Sequence, residues 1–367
     1  MRIFFAGIPG EKEIIMKKKT LALILAGVVL AMAGCGSSSD SAASADTAET
    51  AATEAVTEAA EEATTEAAAE TSDEKFTVGI CQLVQHNALD AATQGFEDAL
   101  TEKYGDNVTI DYQNAQGDSA TCSTIITGFV NNSYDLILAN ATPALQAAVS
   151  ATTDIPILGT SITDYGTALN MTDFTGVTGM NVSGTSDLAP LDQQEDMILE
   201  LVPDVKKVAI LYCSAEANSK FQATQIEKYL DEDGVAYQEY TFADSNDLQS
   251  VVTSAVADCD AVYIPTDNTA ASNMTIVSNV TEPAGIPVIC GEENMTKAGG
   301  LATLSISYYD IGYTAGQQAI RILSDGEDIS TMEIEYAPTT TKEYNEDYAK
   351  AIGMTMPEDY TVIPAAE

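Results

Sequence analysis

The chain has 367 residues, with 56 Asp and Glu against 15 Lys and Arg, a formal net charge of −41 and a single histidine. A field of that sign repels phosphate backbones and excludes nucleic acid as a partner. One histidine, no Gly-x-Ser-x-Gly elbow and no Cys/His metal spacing leave little from which to build a catalytic unit, so neither an enzyme, a metal site nor a cofactor is expected.

At the start of the chain, Lys17, Lys18 and Lys19 precede an apolar run over residues 21–32 that is too short to span a bilayer. Met32-Ala33-Gly34-Cys35 follows. A charged end, an apolar core and small residues at a cleavage point read as an export signal. The cysteine resembles the bacterial lipobox, which implies that Cys35 is lipidated and becomes the mature N-terminus. Residues 1–35 are therefore expected to be a lipoprotein signal peptide, with Met16 the expected true start. The protein would then be extracytoplasmic and anchored to the cell membrane. Residues 36–74 form a Ser/Ala/Thr/Glu tract without an aromatic residue, which cannot bury enough surface to offset chain entropy. It reads as a disordered acidic tether. Its charge would be repelled by anionic lipid, so the lipid chains must provide the hold.

The stretch from Lys75 to Glu367 is long enough for two domains, and no second apolar run reaches membrane-spanning length. Short apolar runs alternate there with amphipathic segments. Residues 76–84 predict a strand, 88–103 a helix, 108–112 a strand, 120–131 a helix and 134–139 a strand. Thr142-Pro143 opens a helix with proline at its favoured first position, and 155–159 predicts a fourth strand. After a Gly-rich passage the pattern restarts with strands at 207–213, 236–242, 261–265 and 286–290. The intervening helices start at Asn218, at a cap on Ser245 or Asn246, and near residues 270–280. Strands covered by helices on both faces imply an α/β fold with parallel sheets. The halves also look like copies: 76–81 matches 208–213, 135–139 matches 260–264 and 155–159 matches 286–290. Of the six cysteines, Cys81, Cys213 and Cys290 lie in apolar runs, so buried free thiols are expected rather than disulfides.

Two such lobes leave a cleft, and ligands of open α/β sheets sit beyond the carboxyl ends of the strands. That rule selects Gln82, His86 and Leu89 after the first strand, Asn140 and Thr142 after the third, and Thr163 and Asp164 after the fourth. In the second lobe it selects Glu216, Asn218 and Ser219, then Asp267 and Asn268, then Glu292. These loops carry hydroxyls, amides and carboxylates but no arginine, which disfavours phosphates and dicarboxylates. Thr142 and Ser219 at helix starts suit a single carboxylate, while Asp164, Glu216 and Asp267 suit an ammonium. Together they describe a site for a zwitterion, which suits a free amino acid. Any one of these residues could equally cap a helix.

The run Val78-Gly-Ile-Cys-Gln82 with His86-Asn-Ala-Leu-Asp90 resembles the opening of the ABC-transporter substrate-binding family that includes tryptophan/tyrosine-binding lipoproteins. The likeness continues through Asn114-Ala-Gln-Gly117, Ala141-Thr142-Pro143, Glu216-Ala-Asn218-Ser219, Pro265-Thr-Asp267-Asn268-Thr and Tyr308-Tyr309-Asp310-Ile-Gly312, and spans most of residues 76–335. It implies a periplasmic-binding-protein type I fold, two doubly wound lobes joined by a hinge, whose cleft hands its ligand to an ABC permease and ATPase. Asn87 and Tyr165 depart from the family pattern, each standing where proline is usual, and both are expected to border the pocket. The implied N-terminal lobe is 75–185 plus about 306–332, and the C-terminal lobe 186–305 plus about 333–360. Hinge crossings are expected near 182–188 and 304–308, and the protein is expected to act as a monomer. An aromatic amino acid needs an apolar slot; with no tryptophan in the chain, Leu83, Leu89 or a tyrosine must line it. Nucleoside or sugar carriers share the plan, but sugar sites usually stack the ring on Trp and hold hydroxyls with Arg. A sensory ectodomain feeding a kinase is the remaining alternative.

Overall fold

The computed structural model describes residues 74–364; the export signal, Cys35 and the tether lie outside the described residues. The first half of the chain builds β1 (Phe76–Gln82), α1 (Asn87–Tyr104), β2 (Val108–Asn114), α2 (Ser119–Asn131), β3 (Leu136–Asn140), α3 (Thr142–Ala151), β4 (Ile157–Ile162), α4 (Tyr165–Ala168) and β5 (Val182–Ser186). The second half builds α5 (Leu191–Leu201), β6 (Lys207–Cys213), α6 (Ala217–Asp233), β7 (Ala236–Phe242), α7 (Ser245–Asp258), β8 (Ala261–Ile264), α8 (Asn268–Ala271), α9 (Met274–Ala284), β9 (Val288–Cys290), α10 (Glu293–Gly299) and β10 (Ala302–Ser305). The chain ends with α11 (Tyr308–Asp325), β11 (Glu335–Tyr336), β12 (Thr341–Tyr344), α12 (Glu346–Ile352) and β13 (Thr361–Val362).

Two sheets result. The first runs β11-β5-β4-β3-β1-β2, with every pairing parallel. In the second, β13-β12-β10-β9-β8-β6-β7, only the β10–β12 pairing is antiparallel. Near-continuous apolar strands are what a sheet covered on both faces requires. Val78, Ile80, Leu136, Leu138 and Leu158 pack one way, onto Phe96 and Leu100 of α1 and Ala315 and Ala319 of α11. Cys81, Ile137, Ala139 and Ile157 pack the other way, onto Ile126 and Phe129 of α2 and Leu145 of α3. The second sheet is enclosed in the same manner by α5 to α10 and α12. Cys81, Cys122, Cys213, Cys259 and Cys290 are free and buried, and no helix among the described residues is long and apolar enough to cross a membrane.

The chain passes between the sheets after Ser186, after Ser305 and between Tyr336 and Thr341. The middle passage returns it to the first sheet, where α11 packs along α1 and β11 adds an edge strand. That return runs past the residue near 332 where the sequence places the boundary, because Glu335 and Tyr336 pair with Thr185 and Ser186. The strand Val182-Ser-Gly-Thr-Ser186 has too little apolar patterning to be read as one, and it becomes a strand by pairing with β4. Two local details also differ from the sequence reading. Asp244, rather than Ser245 or Asn246, caps α7 by accepting from the Asn246 N–H. The helix expected near 270–280 is split into α8 and α9 around Ser272 and Asn273.

Candidate functional site

Strand β1 delivers His86 to the cleft. Its backbone occupies the position before α1, but its side chain does not cap the helix and instead reaches across the lobes. His86 Nε2 lies 3.2 Å from Asn268 Oδ1 of the second lobe. Asn268 is oriented by Glu216, which accepts from the Asn268 N–H at 2.9 Å and from its Nδ2 at 2.7 Å. With the amide nitrogen spent on Glu216, the amide oxygen must accept from His86, which places the ring proton on Nε2. Burial lowers the His86 pKa, so the ring is neutral and Nδ1 is a bare acceptor. That atom is buried and has no partner. A second interlobe contact joins Thr163 Oγ1 and Thr266 Oγ1 at 3.4 Å.

Behind these contacts lies a tight cavity of about 10 Å³, lined by His86, Leu89, Ser161 and Thr163 from the first lobe, by Asn218, Thr266, Asp267, Asn268, Ala271, Glu292 and Met295 from the second, and by Asp187 and Tyr308 from the passages between them. No lysine or arginine lines it. Buried polar atoms without partners converge there: His86 Nδ1, Ser161 Oγ, Asp187 Oδ1 and Asn218 Oδ1. Buried polar groups are ordinarily paired, so four orphans on one cavity single it out as the candidate site. Ser161 also sits at φ 56°, a left-handed conformation uncommon for residues other than glycine; such strain recurs where a ligand is held.

The acids divide into two kinds. Glu216, 5 % exposed, accepts from the N–H groups of Asn268 and Thr269 and from the Thr269 hydroxyl. Asp267 accepts from the N–H groups of Cys213 and Ala270, and Glu292 from those of Asn294 and Met295. Burial pushes Asp267 up to about 8, with neighbouring Glu216 adding to the effect, and pushes Glu292 up to about 7. Asp187, 4 % exposed, is different. Its Oδ2 accepts from the Tyr308 hydroxyl at 2.8 Å, and its Oδ1 is unpaired. Burial raises its pKa as well, against the lowering effect of the Tyr308 and Thr163 hydroxyls.

Of the residues selected by sequence, His86, Leu89, Thr163, Asn218, Asp267, Asn268 and Glu292 meet on the cavity. Gln82 and Asn140 sit one layer behind it. Gln82 donates to Asp90 and Val84 and accepts from Thr93, while Asn140 donates to the Leu89 carbonyl and to Thr93, so both brace α1. Thr142 and Ser219 are buried at the starts of α3 and α6 and do not line the cavity. Asp164 caps α4 through the Thr167 N–H and also lies outside it. The acids expected to hold an ammonium, Asp164, Glu216 and Asp267, each accept from backbone N–H groups of the loops around them. Asn87 faces an outer groove with Ala91, Glu293 and Ser305. Tyr165 turns away from the cleft, fully buried behind β4 and β5, where its hydroxyl donates to the Thr185 carbonyl at 3.2 Å. Neither departure from the family pattern touches the cavity. Sequence reasoning did not select Ser161, Asp187, Thr266, Met295 or Tyr308. Asp187 and Tyr308 were findable, since both fall within or beside the expected crossings.

Residues 77–367 match the model of a family described as ABC transporter substrate binding protein. Over 345 residues the chain is 36% identical to a tyrosine-binding protein of Clostridioides difficile (strain R20291), covering 93% of this chain and 94% of that one. Among solved structures, the ABC domain in complex with L-Trp from Streptococcus pneumoniae overlaps with a TM-score of 0.75 at 32% identity, covering 79% of this chain and 100% of that one. The ligand-free, open structure of a substrate-binding protein with adhesive properties from Clostridium difficile overlaps with a TM-score of 0.62 at 38% identity and the same coverage. The fold is the periplasmic-binding-protein type I fold, and the chain belongs to the substrate-binding proteins of ABC transporters.

Proposed function

We propose that the protein captures a zwitterionic amino acid, an aromatic one such as tyrosine or tryptophan, in the cavity between its lobes and delivers it to an ABC permease and its ATPase. The observation that carries this reading is the cavity's set of unpaired acceptors, Asp187 Oδ1, Asn218 Oδ1 and His86 Nδ1, in the absence of any lysine or arginine. A ligand suited to it brings hydrogen-bond donors and positive charge. Leu89, Ala271, Met295 and Tyr308 supply apolar surface. The Clostridioides difficile relative and the L-Trp complex support the aromatic class. Closure of the lobes on the ligand is supported by the interlobe contacts and by shape: the chain overlaps better with the L-Trp complex than with the open structure, to which its sequence is closer.

Lipidation at Cys35, tethering through residues 36–74 and action as an extracytoplasmic monomer complete the proposal; they rest on the sequence alone. Calorimetric titration of the protein against the twenty amino acids, common nucleosides and sugars tests it. Micromolar or tighter binding of an aromatic amino acid is the expected result. Binding of a sugar or nucleoside, with none to any amino acid, would sink the ligand class.

A further inference from the structure

Four buried acids lie on or against the cavity, and an ammonium needs one with a free oxygen. Glu216, Asp267 and Glu292 have both carboxylate oxygens engaged, each with at least one backbone N–H. A carboxylate so surrounded has little acceptor capacity left along its best lone-pair directions. Asp187 alone of the four keeps an oxygen without a partner, and it faces the cavity. An uncompensated buried carboxylate is costly, and no cationic side chain of the cavity offsets it. The remaining orphans, Asn218 Oδ1 and His86 Nδ1, are neutral acceptors that complement a group with several N–H donors.

Building on the amino-acid reading above, we infer that Asp187 is the anchor for the ligand's ammonium group, held in place by the Tyr308 hydroxyl. Asp187 follows β5 in the first passage between the sheets, and Tyr308 opens α11 just after the second. Recognition of the ammonium thus takes place where the lobes join. The class of ligand follows: primary ammonium compounds, with the des-amino acids of the same side chain excluded.

The test compares L-tyrosine, L-tryptophan and 3-(4-hydroxyphenyl)propionate, which is tyrosine without its ammonium, on the wild type, Asp187→Asn and Tyr308→Phe, with melting curves as the folding control. In the wild type, removing the ammonium from tyrosine should cost about a hundredfold or more in affinity, the scale of a buried charge partner lost. In Asp187→Asn that discrimination should collapse to less than about tenfold, because tyrosine binding falls while binding of the propionate does not. Tyr308→Phe should weaken tyrosine by about tenfold, the scale of one hydrogen bond to a charged group, and leave the propionate unchanged. If Asp187→Asn weakens both ligands equally, or neither, the assignment is overturned while the amino-acid reading stands. If Asp187→Asn does not fold, an unchanged preference for tyrosine in Tyr308→Phe overturns the proposal. A wild type that binds no amino acid removes the reading and the anchor together.

Discussion

Glu292 illustrates how a single buried carboxyl couples the site to pH. It caps α10 through two backbone N–H groups, which favour its charged form, yet burial outweighs them and lifts it from 4.5 to about 7. The folded state therefore binds a proton that the unfolded state has lost between those two values, and stability falls as pH rises through that window. The difference corresponds to about 3 kcal/mol. Urea unfolding of the ligand-free protein at pH 4.5 and pH 8 should show Glu292→Gln losing less stability over that interval than the wild type, by an amount of that order. Equal losses in the two proteins would show that Glu292 carries no such proton. Residue-scale chemistry was legible where a strand visibly ends, as at His86, Asn218, Asp267 and Glu292. It was illegible for Ser161, whose backbone twist leaves no trace in composition, and for the occupied state of Glu216, which depends on N–H groups of a different loop.

Among the elements, α1 and α11 form the contact that fixes where the returning chain lies. Gly95, Gly312 and Gly316 let the two helix backbones approach closely, and a Cβ built on Gly312 would collide with the carbonyl oxygen of Ala92. The obstacle is backbone and cannot rotate aside. Gly312→Ala should therefore destabilise the protein by about 3 kcal/mol, at the upper end of overpacking costs. Gly326, by contrast, ends α11 at φ 66° in open space, and its replacement by alanine should cost about 1 kcal/mol from conformation alone. Chemical denaturation of both variants checks the order, and equal losses would mean that the helices can separate without penalty. Regular elements with strong apolar periodicity were read from sequence close to their observed ends, for instance α2 and β6. β5 and β10 to β13 were not, because short edge or low-apolarity strands exist only through their partners.

At the scale of the whole molecule, the two lobes touch across the cleft. His86, Asn268 and Glu216 form a chain from one lobe to the other, and Thr163 meets Thr266 beside it. Breaking this chain should loosen closure more than it loosens the fold. Asn268→Ala is expected to weaken ligand binding by about tenfold, the scale of one or two hydrogen bonds, and mainly through faster dissociation. Stopped-flow fluorescence of ligand release measures that directly; an unchanged release rate would show that the bridge does not hold the closed state. The duplicated α/β plan and the cleft were legible because periodicity and repeats survive in one sequence. The role proposed for Asp187 was not, since nothing in the sequence tells which of Asp164, Asp187, Glu216 and Asp267 already accept from backbone N–H groups.

A crystal structure of the protein grown with L-tyrosine tests the central claim most directly. The account predicts the amino acid enclosed between the lobes, touching His86, Ser161 and Asn218, with its ammonium nitrogen within hydrogen-bond reach of Asp187. Tyrosine bound outside this cavity, or absent from it at saturating concentration, would contradict the account.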